Sequence, residues 1–135
     1  MRMLTIPAET DQLETVQAFI DEDLDAANCA PETRIQLQIA VEELFVNIAL
    51  YAYEPGHGDA VIGCLLERNP LRVTIRFQDR GKPFNPLAKK DADITLSAEE
   101  RGIGGLGIYM VKNTMDAVHY VWENGCNILT VQKNL

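Results

Sequence analysis

Three short stretches carry residue types that can do chemistry. Glu43 and Asn47 stand four positions apart, so a helix would hold both on one face. They interrupt a stripe otherwise filled by Ile39, Leu44 and Leu50. A carboxylate and a carboxamide on a half-buried face need partners, because burying them bare is costly. A metal ion would be one such partner. The asparagine oxygen is a hard neutral ligand suited to magnesium, and the nearby carboxylate could orient and deprotonate a hydroxyl or a water. The alternative is that both side chains simply face solvent.

The second stretch is Asp79-Arg80-Gly81-Lys82-Pro83-Phe84. An aspartate at the end of an amphipathic strand can point into a cleft and accept hydrogen bonds, as the exocyclic amino group of adenine would require. Gly81 lets the backbone approach a flat base closely or adopt positive φ. The alternative is an ordinary Asp-x-Gly turn. The third stretch, Arg101-Gly102-Ile103-Gly104-Gly105-Leu106-Gly107, runs into a helical pattern. Glycines before a helix expose N–H groups, and the helix N-terminus adds partial positive charge, so phosphate is the favoured ligand. No Gly-Lys-Ser/Thr follows, which excludes a Walker A loop. A long polar loop precedes the glycines where a dinucleotide fingerprint needs a strand.

These residues need elements to hold them. Leu4–Pro7 reads as a short strand and Ala8–Ala27 as a helix with Leu13, Val16, Phe19, Ile20 and Leu24 on one stripe. Pro31 opens a second helix, in whose first turn proline is tolerated. Its expected apolar face is Ile35, Ile39, Leu44, Ile48 and Leu50, and it stops before Glu54-Pro55-Gly56. Ala60–Glu67 and Leu71–Gln78 read as an antiparallel hairpin across Asn69-Pro70. Leu71, Val73, Ile75 and Phe77 alternate with Arg72, Thr74, Arg76 and Gln78, the mark of a half-buried strand. Asp79–Ile103 lacks periodicity, and loops of that length are often functional. Gly104–Met115 reads as a helix, and Ala117–Glu123 and Cys126–Gln132 as strands joined by Asn124-Gly125, a strong hairpin signal. Segregated helices and mostly antiparallel strands predict an α+β two-layer sandwich, helices on one face, as one domain over residues 1–135.

Composition narrows the classes. The chain has 135 residues, is 47% hydrophobic and 24% charged, and carries a net charge of −8. That balance argues against nucleic acid and against anionic membranes as partners, and fits a protein with a basic patch. Cys29, Cys64 and Cys126 have no zinc or disulfide spacing, so reduced thiols in the cytoplasm are expected. No apolar run of membrane-spanning length is evident. His57 sits in a turn and His119 in a strand. Neither lies on a helix suited to a phospho-accepting histidine.

The order of these features resembles the nucleotide pocket shared by gyrase B, the large heat-shock chaperone ATPase, histidine kinases and MutL. The branch it resembles most is the stand-alone anti-sigma factor serine/threonine kinases. Ala40-Val41-Glu42-Glu43-Leu44-Phe45-Val46-Asn47 is similar to that branch's Glu-x-x-x-Asn helix, and Asp79–Phe84 to its Asp-x-Gly-x-Pro-Phe loop. Arg101–Asp116 resembles its glycine-rich turn and following helix, and Asn127–Val131 its closing Asn-x-Leu-Thr strand. The resemblance implies a Bergerat-type ATP-binding fold, with ATP and Mg2+ as cofactors. It implies that Asn47 holds magnesium, Glu43 is the general base, and Asp79 binds the adenine amino group with Gly81 beside it. Pro83, where relatives outside the branch often have a second glycine, fits the anti-sigma branch. Gly102, Gly104, Gly105, Leu106 and Gly107 would contact phosphates, Pro86–Arg101 would form a mobile lid, and Thr130 would assist at the adenine. Arg101 and Lys82 are phosphate neighbours or solvated charges. Glu42 is an alternative base, one residue off the Asn47 face. The implied partners are a sigma factor or similar regulator and a small antagonist protein as phosphorylation substrate. A homodimer is also compatible. The competing expectation is a module that holds ATP and sequesters its partner without turnover.

Overall fold

The structure is a computed structural model and describes residues 1–88 and 105–135. The chain runs β1 (Arg2–Pro7), a 3-10 turn (Thr10–Gln12), α1 (Leu13–Ala26) and α2 (Pro31–Asn47). A π-helical turn (Ile48–Ala52) then leads to β2 (Asp59–Glu67), β3 (Arg72–Asp79) and a 3-10 turn (Pro86–Ala88). Last come α3 (Gly105–Thr114), β4 (Ala117–Glu123) and β5 (Cys126–Asn134). The five strands lie in the order β1-β2-β3-β5-β4. Every neighbouring pair is antiparallel. This is the expected α+β sandwich.

Local chemistry explains the turns. Asn124 and Gly125 both have positive φ, 53° and 75°, as a two-residue turn matched to strand twist requires. Strand alternation sends Val73, Ile75 and Phe77 of β3 into the core, where each is at most 1% exposed. They meet Val16, Ile20 and Leu24 of α1 and Leu37, Val41, Leu44 and Phe45 of α2 in one apolar cluster. Arg2 ties β1 to α1, bonding Glu22 at 2.7 Å, Asp23 at 3.0 Å and the Phe19 carbonyl at 2.6 Å. Arg34 ties α2 to α1 through Asp21 and Asp25, each at 2.6 Å.

The face of α2 differs from expectation. Leu37, Ala40, Val41, Leu44 and Phe45 are its buried residues, whereas Ile35 and Ile39 are 60% and 47% exposed. Apolar residues occupy both sides of this helix, so spacing alone cannot choose between them. Pro31–Ala52 is also, by length and composition, long and apolar enough to cross a membrane, contrary to the sequence expectation. Core packing accounts for the buried part of that character: α2 packs on the sheet between α1 and α3.

Candidate functional site

A cavity of about 440 Å3 opens where α2, its π-helical turn, β3, β4, β5 and the N-terminal part of α3 meet. Its apolar lining includes Leu44, Ile48, Phe77, Ile108 and Leu129, and its polar lining Glu43, Asn47, Asp79, Lys82 and Asn127. The π turn starts immediately after Asn47. Widening the helix there lets Ile48, Tyr51 and Ala52 line the cavity together with Asn47.

Glu43 and Asn47 form the first pole. Asn47 Nδ2 donates to Glu43 Oε1 at 3.1 Å, which leaves Asn47 Oδ1 without a protein donor among the described residues. Gly107 of α3 packs directly against the Glu43 carboxylate, and a Cβ at that position would collide with it. Only glycine lets the Glu43 carboxylate keep this position, since any Cβ would have to push it aside. Glu42 is exposed and does not line the cavity.

Asp79 forms the second pole, at the end of β3 and only 6% exposed. Its Oδ1 accepts the Gly81 N–H at 2.9 Å and Asn127 Nδ2–H at 2.9 Å. Its Oδ2 has no partner among the described residues. The loop after Asp79 is fastened to the end of the π turn, where Lys82 N–H donates to the Ala52 carbonyl at 3.1 Å. A Cβ on Gly81 would strike that same Ala52 backbone. The Tyr53 hydroxyl accepts the Arg80 N–H at 2.8 Å and donates to the Asp59 carbonyl at 2.6 Å. Burial pushes the Tyr53 phenol up from its ordinary value, which keeps that donor in place.

The structure brings Glu43, Asn47, Asp79 and Lys82 to one cavity. Pro83 is exposed and stands outside the lining. Gly105 and Leu106 open α3, while Arg101, Gly102, Gly104 and nearly all of the expected lid lie outside the described residues. Thr130 is a correction. It pairs with Arg76 and His119, and strand alternation turns it to the opposite side of β5 from Leu129 and Val131. Asn127 and Leu129 are the β5 residues at the cavity. Sequence reasoning gave no role to Asn127, Tyr120 or Tyr51. The register that sets Asn127 opposite Asp79 joins strands that are not consecutive, so no local pattern announces it.

The site fits a nucleotide with magnesium. The apolar lining suits a purine ring, and the open Asp79 oxygen suits its amino group. Among the described residues, no cluster of three or more His, Cys, Asp or Glu could hold a metal. Asn47 Oδ1, without a protein donor among the described residues, and the Glu43 carboxylate beside it are hard oxygen ligands of the kind magnesium takes.

A family model described as the histidine kinase-like ATPase domain matches residues 6–133. The serine/threonine-protein kinase BtrW of Bordetella bronchiseptica is 28% identical over 73% of this chain and 68% of its own length. The serine-protein kinase RsbW of Listeria monocytogenes is 25% identical over 93% of this chain and 82% of its own. A chain of the SiaB–SiaC complex from Pseudomonas aeruginosa shares the fold. Its TM-score is 0.57 at 14% identity, covering 100% of this chain and 90% of that one.

Proposed function

The chain belongs to the histidine kinase-like ATPase domain family, and from that premise we propose that it is a serine/threonine protein kinase. It binds ATP with magnesium and phosphorylates a small antagonist protein, acting as an anti-sigma factor or a comparable regulator. The observation that carries this reading is the single cavity holding both Glu43–Asn47 and Asp79. Named serine kinases among the relatives support it.

Asp79 Oδ2 accepts the adenine amino group, and Leu44, Ile48, Phe77 and Leu129 exclude water from the ring. Asn47 Oδ1 would hold magnesium, which when bound offsets the charge of the phosphates. Glu43, oriented by its bond from Asn47, takes the proton of the acceptor hydroxyl. The acceptor oxygen bonds to the γ-phosphorus, the bond from that phosphorus to the β,γ-bridging oxygen breaks, and ADP leaves with the electron pair. Backbone N–H groups at the start of α3 face anionic phosphate favourably.

The test mixes labelled ATP, magnesium and candidate antagonist proteins with wild type, Glu43→Gln and Asn47→Ala. Glutamine keeps the acceptor for Asn47 and loses only the base. Transfer should fall about 10²- to 10⁴-fold in Glu43→Gln while ATP still binds. Tight ATP binding by wild type without transfer to any candidate would leave the non-catalytic sequestering module as the function. Absence of ATP binding would defeat both.

A further inference from the structure

Asn127 is buried at the base-binding end of the cavity and spends its whole carboxamide on four partners. Its Nδ2 donates to Asp79 Oδ1 at 2.9 Å and to the Lys82 carbonyl at 2.9 Å. Its Oδ1 accepts the Phe84 N–H at 2.9 Å and the Tyr120 hydroxyl at 2.5 Å. Only one orientation of the amide satisfies this set. The Phe84 N–H can only donate, and the Lys82 carbonyl can only accept. The oxygen must therefore face Phe84, and the nitrogen must face Lys82 and Asp79.

That fixed orientation acts on Asp79. With Gly81 N–H and Asn127 Nδ2–H both on Oδ1, the carboxylate cannot rotate without breaking two hydrogen bonds. Its open oxygen is presented to the cavity purely as an acceptor. An amino group at the purine 6-position can donate to that oxygen. An oxo group there offers only lone pairs, which the carboxylate repels.

We propose that Asn127 is a positioning residue that holds the Asp79 carboxylate with its open oxygen on the base site and thereby sets selectivity for 6-amino over 6-oxo purine nucleotides. The inference rests on the ATP-binding reading and assigns its base selectivity to a side chain behind the one that touches the base. Tyr120 and Phe84 hold Asn127 in turn, so the loop after β3 and the middle of β4 share in the selectivity.

Binding is read by equilibrium dialysis, with the fluorescence of the one tryptophan, Trp122, the register partner of Asn127, as a second readout. The experiment titrates ATP and ITP, which differ at the 6-position, into wild type, Asn127→Leu, Asn127→Asp and Tyr120→Phe. Wild type should prefer ATP about 10- to 100-fold. Asn127→Leu should bring that ratio near unity, and Tyr120→Phe, which removes one of the four bonds, should bring it between the two. Asn127→Asp sets a second carboxylate against Asp79, and the pair must share a proton to coexist. Its ATP affinity should therefore fall at least about tenfold from pH 6 to pH 8, while wild type stays nearly flat. Without nucleotide, the Phe84 amide should exchange faster in Asn127→Leu than in wild type. Variants that melt lower yet keep the wild-type ATP:ITP ratio and pH profile would reduce Asn127 to a structural role and overturn the proposal. Wild type binding both nucleotides equally would overturn it too. Wild type binding neither would overturn the ATP reading itself.

Discussion

Gly107→Ala should separate catalysis from stability. The new methyl would occupy the space of the Glu43 carboxyl group. The obstacle is the end of a flexible side chain, so Glu43 swings aside instead of the backbone moving. An off-rotamer glutamate costs about 0.5–1.5 kcal/mol, and the lost Asn47 hydrogen bond about 0.5–1.5 kcal/mol. Alanine in place of glycine within α3 returns up to about 1 kcal/mol. The net is a destabilisation of roughly 0–3 kcal/mol. At about 3–4 °C per kcal/mol for 135 residues, Tm falls by no more than about 12 °C. The rate responds differently, because a catalytic group displaced by about 1 Å can cost around 10²-fold. Single-turnover transfer of labelled phosphate to the antagonist protein, run beside a thermal melt, measures both. A double-mutant cycle isolates the contact: in a Glu43→Ala background, Gly107→Ala should cause no further loss of rate. Transfer at the wild-type rate in Gly107→Ala would refute the reasoning. So would an undiminished second loss in the double variant.

Further outcomes follow from the same geometry. Asp79→Asn replaces the acceptor carboxylate with an amide and should weaken ATP binding about 10- to 100-fold by equilibrium dialysis. Tyr53→Phe deletes a hydroxyl bonded at 2.6 and 2.8 Å. Because solvent can reach both partners, the loss should be about 1–2 kcal/mol in denaturant unfolding. Phe45→Ala empties a site that is 0% exposed and should cost about 3–5 kcal/mol in the same assay. Burial pushes both the Cys64 and Cys29 thiols up from their ordinary value, which lowers the thiolate fraction near neutral pH. Titration of the native protein with a thiol-reactive dye at pH 8 should therefore modify at most the partly exposed Cys29. Cys64 and Cys126, both buried, should react only after unfolding.

Much of the fold was legible because local signals agreed with the final packing. The alternation in β3 and the Asn124-Gly125 turn each predict the observed element. The paired spacing of Glu43 and Asn47 likewise predicts their shared cavity wall. The α2 face was not legible, since Ile35 and Ile39 follow the same period as the buried residues. The correct face emerges only once the sheet and both neighbouring helices are in place. Thr130 and Asn127 show a second limit. The resemblance points at the strand, but the pleat decides which residue reaches the cavity, and the chain must cross from β3 to β5 before that pleat is registered.

The strand order also dictates when a nascent chain becomes competent. β5 enters the sheet between β3 and β4, and it brings to Asp79 a partner 48 residues downstream. A growing polypeptide that has emerged only through β3 carries the carboxylate with one wall of its pocket missing. Nucleotide capture is therefore a late event in biogenesis, because stabilisation by a bound ligand acts only on the state that binds it. At a hundredfold excess over Kd that stabilisation reaches about 2.7 kcal/mol, and all of it goes to chains whose final hairpin has docked. Half-made molecules gain nothing from the cell's ATP, so the nucleotide pool itself would discriminate finished copies from unfinished ones.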